Sequence, residues 1–186
     1  MKTTIRTVGA CLLLMFMGIG AAKAQFSAGA EVGLPMGNFG DIAGTGFGVS
    51  GRYEASIQDK LSWTASVGYL SFSGKTYTYP GTNVTIPFGS FSLVPIAGGL
   101  KYYFSEAGNG LYGAADIGIN IFSTYDVSYN NGNGGGYNTT PVSASKFGVS
   151  PGIGYRTGTW DFAARFNIIS DANYLGARVA YVFGGK

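Results

Sequence analysis

The sequence has 186 residues, of which only 11% are Asp, Glu, Lys or Arg, against about 25% in an ordinary soluble protein. It contains 32 glycines, 13 tyrosines and 13 phenylalanines but no histidine. A chain this apolar and aromatic is neither disordered nor equipped with a typical soluble surface. The absence of histidine excludes Ser-His and Cys-His nucleophile systems, His-ligated metals and a His general base.

The first 24 residues have the features of a secretory signal peptide. Lys2 and Arg6 give a positive start, residues 8–22 are an apolar run, and Ala22-Lys23-Ala24 is an Ala-x-Ala cleavage site before Gln25. Because the run is short for a membrane-spanning helix, an uncleaved anchor is the less favoured alternative. We therefore predict a cleaved leader over 1–24 and a single domain over 25–186.

Removal of this leader changes the charge of the protein. Three of the 12 basic residues, Lys2, Arg6 and Lys23, lie in the leader, so the predicted domain has as many basic residues as the 9 acidic ones. The only cysteine, Cys11, also lies there, which leaves no thiol for a disulfide. No basic run remains that would follow a phosphate backbone, and nucleic acid is excluded as a partner.

Alternation of apolar and polar residues predicts eight strands after the leader. They cover 26–34, 46–57, 61–72, 90–104, 111–125, 145–156, 160–169 and 174–183. The connections alternate between short turns and long segments rich in Gly, Asn, Ser and Thr (35–45, 73–89 and 126–144), although the last one on the long side, 170–173, is short. This alternation is typical of an up-and-down antiparallel barrel. Pro95 and Pro151 fall within strands, where in an open sheet they would suggest edges or bulges.

One face of the predicted strands is apolar throughout, and the opposite face carries charge. Four acids and four bases lie on that second face: Glu31, Glu54, Asp116, Asp161, Arg52, Lys101, Arg165 and Arg178. An eight-stranded barrel has room inside only for side chains or one small ligand, so the bulky apolar face does not fit there. We expect it to meet lipid, while the balanced charges fill the lumen as an ion-pair network. A soluble sandwich with an aromatic core stays open as the alternative.

Aromatic residues concentrate at the strand ends that adjoin the short turns. Those we assign to an aromatic girdle are Tyr53, Trp63, Tyr102, Phe104, Tyr155 and Trp160. A smaller group, which includes Phe47 and Phe147, lies toward the long loops. Aromatic rings at both edges of an apolar band are expected at the two interfaces of a bilayer.

Four segments resemble a known family of proteins. Residues 33–39 (GLPMGNF), 67–72 (VGYLSF) and 98–104 (GGLKYYF) are similar to segments of small outer-membrane β-barrel domains from Bacteroidetes-type bacteria. The last strand resembles the assembly signal of the OmpA/OmpX-like family, through Gly176, Val179, Tyr181 and Phe183. The resemblance implies an all-β, eight-stranded antiparallel transmembrane barrel in the outer membrane of a Gram-negative bacterium. It also implies contact with outer-membrane lipid and with the barrel-assembly machinery.

Several short motifs match patterns that bind nucleotides or calcium in other proteins, but the residues around them do not fit those sites. Residues 108–113 match G-x-G-x-x-G but open a strand, and Gly74-Lys75-Thr76 lacks the glycine spacing of a P-loop. Residues 126–130 lack the carboxylates of a calcium loop. A glycosidase-like pair of Glu31 and Glu54 is less favoured than structural ion pairing. We predict no catalytic residues, no cofactor and no metal.

The predicted function is therefore that of a non-enzymatic outer-membrane barrel with a structural or surface role. Its long segment 126–144, which contains Tyr129 and Tyr137 among glycines and asparagines, has the composition of an adaptable binding loop for an unknown extracellular ligand. A solvated loop without a partner is an equal alternative. A second hypothesis is narrow or lateral transport of small apolar molecules, as in OmpW-like barrels. A lipid-modifying barrel enzyme is the third, and it is disfavoured because such enzymes use histidine.

Overall fold

The computed structural model describes residues 24–78, 85–87, 89–124, 129–130, 136–137 and 143–184. Apart from Ala24, the predicted leader lies outside these residues. A helix, α1, spans Asn38–Ile42. The strands, in chain order, are β1 Gln25–Pro35, β2 Ala43–Gln58, β3 Leu61–Gly74, β4 Thr76–Thr78, β5 Thr85–Pro87, β6 Phe91–Tyr103, β7 Gly110–Thr124, β8 Tyr129–Asn130, β9 Gly136–Tyr137, β10 Ser143–Thr157, β11 Trp160–Ile169 and β12 Tyr174–Phe183.

Eight of the described strands close into a barrel, in the order β1, β2, β3, β6, β7, β10, β11 and β12. Every neighbouring pair is antiparallel. The first and last strands complete the ring, with Phe26 opposite Phe183 and Pro35 opposite Tyr174. The eight-stranded antiparallel barrel predicted from the alternation is thereby confirmed.

The alternation of side chains sorts the strands into an inner and an outer face, because successive residues of a strand point to opposite sides. Strand β12 illustrates this. Arg178, Ala180 and Val182 are buried inside the barrel, whereas Val179 and Tyr181 between them are exposed on its outside. The apolar side chains that would form the core of a soluble protein thus cover the outer face of this one.

The two prolines within strands mark local gaps in hydrogen bonding and not sheet edges. Pro95 lies opposite Asn120 on β7, but the ladder between β3 and β6 is interrupted at its level. Pro151 lies opposite Ala115, and the ladder between β10 and β11 is interrupted there. Proline has no N–H to donate, so each one breaks the ladder on one side only. In an open sheet such prolines would suggest edges or bulges. A closed barrel has no edges, and here each proline interrupts one ladder instead.

The two ends of the barrel differ. At the turn end, the tight turns are connected by backbone hydrogen bonds such as Ala107 N–H to Asp59 O, at 2.8 Å. At the loop end, α1 lies within the segment predicted as a loop over 35–45. Two small hairpins, β4–β5 and β8–β9, form two-stranded sheets of their own that are not part of the barrel sheet. The predicted loops 73–89 and 126–144 lie partly outside the described residues. In the described part of the chain, no helix is long and apolar enough to cross a bilayer.

Several strands extend further than the alternation predicts. Strand β2 begins at Ala43, three residues earlier than predicted, and β10 begins at Ser143, two residues earlier. Polar and small residues continue the ladder beyond the apolar band, and hydrophobic alternation cannot detect such residues. Strand β6 ends at Tyr103, so Phe104 belongs to the turn that follows.

Candidate functional site

The interior at the turn end contains a lysine clamped between two acids. Lys101 comes from β6, and its Nζ lies 2.9 Å from Glu54 Oε2 on β2 and 2.7 Å from Asp161 Oδ2 on β11. The Tyr103 hydroxyl donates to the second oxygen of Glu54 at 2.7 Å, and the Tyr112 hydroxyl donates to that of Asp161 at 2.5 Å. Lys101 is fully buried, so these partners replace the water that an ammonium group requires.

A second cluster in the interior is built on Asp116 of β7. Its Oδ2 lies 2.9 Å from Arg52 Nη2 and 3.3 Å from Arg165 Nη1. Its Oδ1 accepts a hydrogen bond from the Thr64 hydroxyl at 3.1 Å. The carboxylate therefore joins β2, β3 and β11 across the interior, and two guanidinium groups share one of its oxygens.

Glu31 of β1 extends this cluster to the last strand. Its Oε1 lies 2.7 Å from Arg165 Nη2 and 3.5 Å from Arg178 Nε. The Ser50 hydroxyl donates to the same oxygen at 2.6 Å and accepts from Arg178 Nε at 2.8 Å. The structure thus brings all eight sequence-predicted charges into the barrel, arranged as two clusters: one around Lys101 and one around Asp116 and Glu31.

Arg156 is a ninth interior charge, and the sequence analysis missed it. It is only 1% exposed, and its Nη1 lies 3.9 Å from Glu54 Oε2. The signal for it was present, because Arg156 ends the predicted strand 145–156 on the charged face, next to the outward Tyr155. With Arg156, the described interior holds five basic and four acidic side chains. The equal number of four bases and four acids predicted from the sequence is therefore wrong by one base.

The loop end of the interior is closed by an apolar plug, which the sequence analysis also missed. Phe39 of α1 points into the barrel mouth, with ring-centroid distances of 5.1 Å to Phe72, 5.8 Å to Phe91 and 6.4 Å to Phe122. The buried residues that pack around it are Ala43, Leu70, Phe72, Leu93, Ile169, Ala172 and Tyr174. Several of these residues, such as Leu70, Phe72 and Leu93, lie on the predicted inner face close to the loops. Apolar side chains on this otherwise polar face could have predicted an apolar cluster at the loop end.

The loop that carries the plug is tied to its neighbours by hydrogen bonds. Met36 N–H donates to Asn173 O at 2.8 Å. The Lys75 ammonium donates to Gly40 O at 2.6 Å, and its backbone N–H donates to Ile42 O at 2.9 Å. These bonds hold α1 over the barrel mouth.

A cavity of about 30 Å³ lies between the plug and the ion-pair clusters. Its wall includes Glu31, Arg52, Asp116 and Arg165, together with hydroxyl and amide groups from several strands. Such a volume holds about two water molecules. Buried side chains lie on both sides of it, the apolar plug toward the loop end and the ion pairs of Lys101 toward the turn end.

The predicted girdle residues lie on the outer surface near the turn end. Tyr102, Phe104, Tyr155 and Trp160 are about half exposed, at 50%, 58%, 51% and 48%, while Tyr53 and Trp63 are partly covered by each other, with ring centroids 5.2 Å apart. The structure therefore places all six on one rim of the barrel.

The predicted assembly-signal residues lie on β12, the strand that closes the barrel against β1. Val179, Tyr181 and Phe183 are exposed at 45%, 43% and 52%, and Gly176 pairs with Gly33. Tyr181 packs edge-on against Trp160 and Phe183, with ring centroids 5.8 Å and 5.1 Å away. These aromatic residues form a continuous outer patch.

The described residues offer no obvious place for a metal ion, since they contain no group of three or more His, Cys, Asp or Glu side chains that would hold one. The interior carboxylates are instead engaged by lysine, arginine and hydroxyl groups. The arrangement is suited to holding strands together.

Together these features define a closed eight-stranded β-barrel with an apolar exterior and a charged interior, the architecture of small outer-membrane barrels. No family model and no curated protein matches the sequence. The structure is similar to Ail, the attachment invasion locus protein of Yersinia pestis, in complex with the heparin analogue sucrose octasulfate. The TM-score is 0.55 at 10% identity, over 86% of this chain and 97% of Ail.

Two further solved structures have the same fold. The N-terminal β-barrel domain of OprF from Pseudomonas aeruginosa has a TM-score of 0.52 at 12% identity, over 88% of this chain and 100% of the domain. Ail in a phospholipid bilayer nanodisc has a TM-score of 0.53 at 10% identity, over 88% and 100%. These similarities show the outer-membrane barrel fold, whereas the resemblance to Bacteroidetes-type barrels stays a prediction.

Proposed function

We propose that the protein is an integral, non-enzymatic barrel of a Gram-negative outer membrane with a structural and surface role. The observation that carries this proposal is the inverted distribution of polarity. Phe47 and Ile153 on the outside are 65% and 64% exposed, whereas Lys101 inside is fully buried. A soluble monomer rarely exposes an apolar patch larger than a few hundred Å², but lipid solvates such a surface.

The dimensions of the strands support the same placement. The shortest barrel strands, β11 and β12, have 10 residues each, and a tilted strand needs about 9–11 to cross the hydrocarbon core. The aromatic rim at the turn end would then lie at one membrane interface, with the rings between lipid tails and headgroups.

Two features near the chain ends fit a route through export and barrel assembly. Strand β1 begins at Gln25, directly after the predicted cleavage site, so removal of 1–24 would leave the barrel intact. At the other end, Tyr181 and Phe183 stay on the outer face of β12, where the assembly machinery would meet them. The leader is tested by determining the N-terminus of the envelope-localised protein, which we expect to be Gln25.

The loops are the proposed site of contact with an extracellular ligand, and their charge restricts its chemistry. The segments at the loop end contain two bases, Lys75 and Lys146, and three acids, Asp41, Asp126 and Asp171. Lys146 also lies 3.3 Å from Asp171. Ail has been solved with a heparin analogue, but a polyanion would find little positive charge here. We therefore expect the extracellular ligand to be neutral.

Transport through the lumen is less favoured than this surface role. The plug around Phe39 closes one end, the ion pairs of Lys101 close the other, and the cavity between them is about 30 Å³. We expect no resolved channel in planar-bilayer recordings. Discrete, voltage-independent conductance steps would favour the transport hypothesis instead.

The principal experiment is to express the full chain in a Gram-negative host and separate the envelope. We expect the protein in the outer-membrane fraction after a urea wash, and we expect a gel mobility that shifts on boiling because a folded barrel binds less detergent. A periplasmic marker protein serves as the washing control. Recovery as a monomer in detergent-free buffer would contradict the proposal.

A further inference from the structure

The cluster beside the cavity contains more positive than negative charge. Three arginines, Arg52, Arg165 and Arg178, face two carboxylates, Glu31 and Asp116. In the cluster around Lys101, by contrast, two bases (Lys101 and Arg156) face two acids (Glu54 and Asp161), so their formal charges cancel. The surplus positive charge of the described interior therefore lies in the cluster next to the cavity.

Hydrogen-bond donors in this cluster are also left without acceptors. Arg52 Nε and Arg178 Nη1 are buried and have no hydrogen-bond partner among the described residues, and the same is true of Nε and Nη1 of Arg156 in the cluster around Lys101. Arg52 is 3% exposed and lines the cavity. A buried charge without full compensation is costly, and unpaired buried donors add to that cost. Of the described residues with unpaired donors, only Arg52 lines the cavity. Both costs would fall at Arg52 if the cavity held an acceptor with a negative charge.

The cavity also provides room and a polar wall. Its volume of about 30 Å³ takes about two waters, and a single halide ion, which is larger than one water molecule, fits in the same space. Arg52, Arg165 and the Asn120 side chain contribute to its wall, together with the Glu31 and Asp116 carboxylates that the arginines pair with. Polyatomic anions such as phosphate are too large for this space. We infer that the cavity binds one monatomic anion, chloride in ordinary salt, which neutralises the interior of the barrel.

The inference goes beyond the surface role and does not depend on it, since the site is enclosed inside the barrel. Bromide is the probe, because it replaces chloride and scatters X-rays anomalously near its absorption edge. Crystals of the native detergent-solubilised barrel, grown in sodium bromide, should show one anomalous peak in the cavity beside Arg52. Cavity density without anomalous signal, or bromide peaks at the surface only, would overturn the inference.

A solution measurement tests the same point. Unfolding by urea, which adds no anion, is compared in detergent micelles in sodium chloride and in sodium gluconate at equal ionic strength. Chloride at about ten times its dissociation constant should lower the equilibrium constant of unfolding by about tenfold. Equal stability in both salts would contradict anion binding.

A matched pair of variants separates the cavity from general salt effects. Asn120→Asp places a fixed negative charge in the cavity wall, and we expect it to abolish both the bromide peak and the chloride dependence. Asn109→Asp makes the same change at an exposed turn and should leave both unchanged. A folded Asn120→Asp barrel that still binds bromide would overturn the assignment. If this variant fails to fold, the native bromide measurement decides.

Discussion

Lys101 and Asp161 form an ion pair of 2.7 Å that joins β6 to β11 across the barrel interior. The two strands are not neighbours in the sheet, since β7 and β10 lie between them. Backbone hydrogen bonds hold each strand only to its neighbours, so this contact links parts of the wall that the sheet does not. The interior ion pairs therefore hold together strands of the barrel that are not neighbours in the sheet.

The first prediction concerns Lys101 itself. Lys101→Met removes the cation and leaves Glu54 and Asp161 buried without it, which we expect to lower the free energy of unfolding by about 3–5 kcal/mol. Lys60→Met, at an exposed position, is the control and should change it by less than about 0.5 kcal/mol. Urea unfolding in detergent micelles measures both. Similar stability of the two variants would show that the ion pairs of Lys101 do not stabilise the barrel.

The second prediction uses two glycines with opposite surroundings. A Cβ on Gly99 would collide with Ala115 O and with the Asp116 side chain, whereas one on Gly113 meets nothing within 4 Å. Gly99→Ala should therefore destabilise the barrel by about 1–3 kcal/mol, and Gly113→Ala should be neutral or stabilise it by about 0.4–1 kcal/mol. Thermal unfolding monitored by circular dichroism compares them. Equal effects would mean that β6 and β7 do not pack as closely as described.

The third prediction concerns the apolar plug. Phe39 is 3% exposed, and Phe39→Ala should lower the free energy of unfolding by about 3–5 kcal/mol if α1 unfolds together with the barrel. Met36→Ala, at an exposed position of the same loop, is the control. Because the ion pairs still fill the lumen below the plug, neither variant should conduct in planar bilayers. Channel activity in Phe39→Ala alone would identify the plug as the only barrier.

The faces of the barrel could be predicted from sequence because strand alternation has a fixed period of two. Once Phe47 and Val49 are outward, the sides of Arg52 and Glu54 follow by counting. The same counting places Arg156, at the end of the predicted strand 145–156, on the inner face. Which charges pair with each other could not be counted, because the pairing of Lys101 with Asp161 depends on the barrel cross-section.

The apolar plug could not be predicted from the alternation of apolar and polar residues, and the reason is physical. Helix α1 has 5 residues, too few to show a helical period. Phe39 is buried through contacts with Phe72, Phe91 and Phe122, which come together only after the barrel closes.

The last prediction tests whether the outer face meets lipid. Ile117 lies at the middle of β7 and is 59% exposed, while Ile57 lies near the turn end of β2 and is 53% exposed. A lysine at the bilayer midplane costs about 2–4 kcal/mol, and near the interface about 0–1 kcal/mol. Ile117→Lys should therefore reduce the stability of the barrel refolded into phospholipid vesicles far more than Ile57→Lys.

In water the two substitutions would behave alike, because both side chains are similarly exposed and a lysine would be solvated at either position. The comparison is made by guanidinium titration of each variant in vesicles. A difference of at least about 1.5 kcal/mol between the variants supports a bilayer around the middle of β7, since it exceeds the scatter of about 0.5 kcal/mol for surface substitutions. Equal, small effects would place the outer face in water or against another protein, and membrane insertion would have to be abandoned.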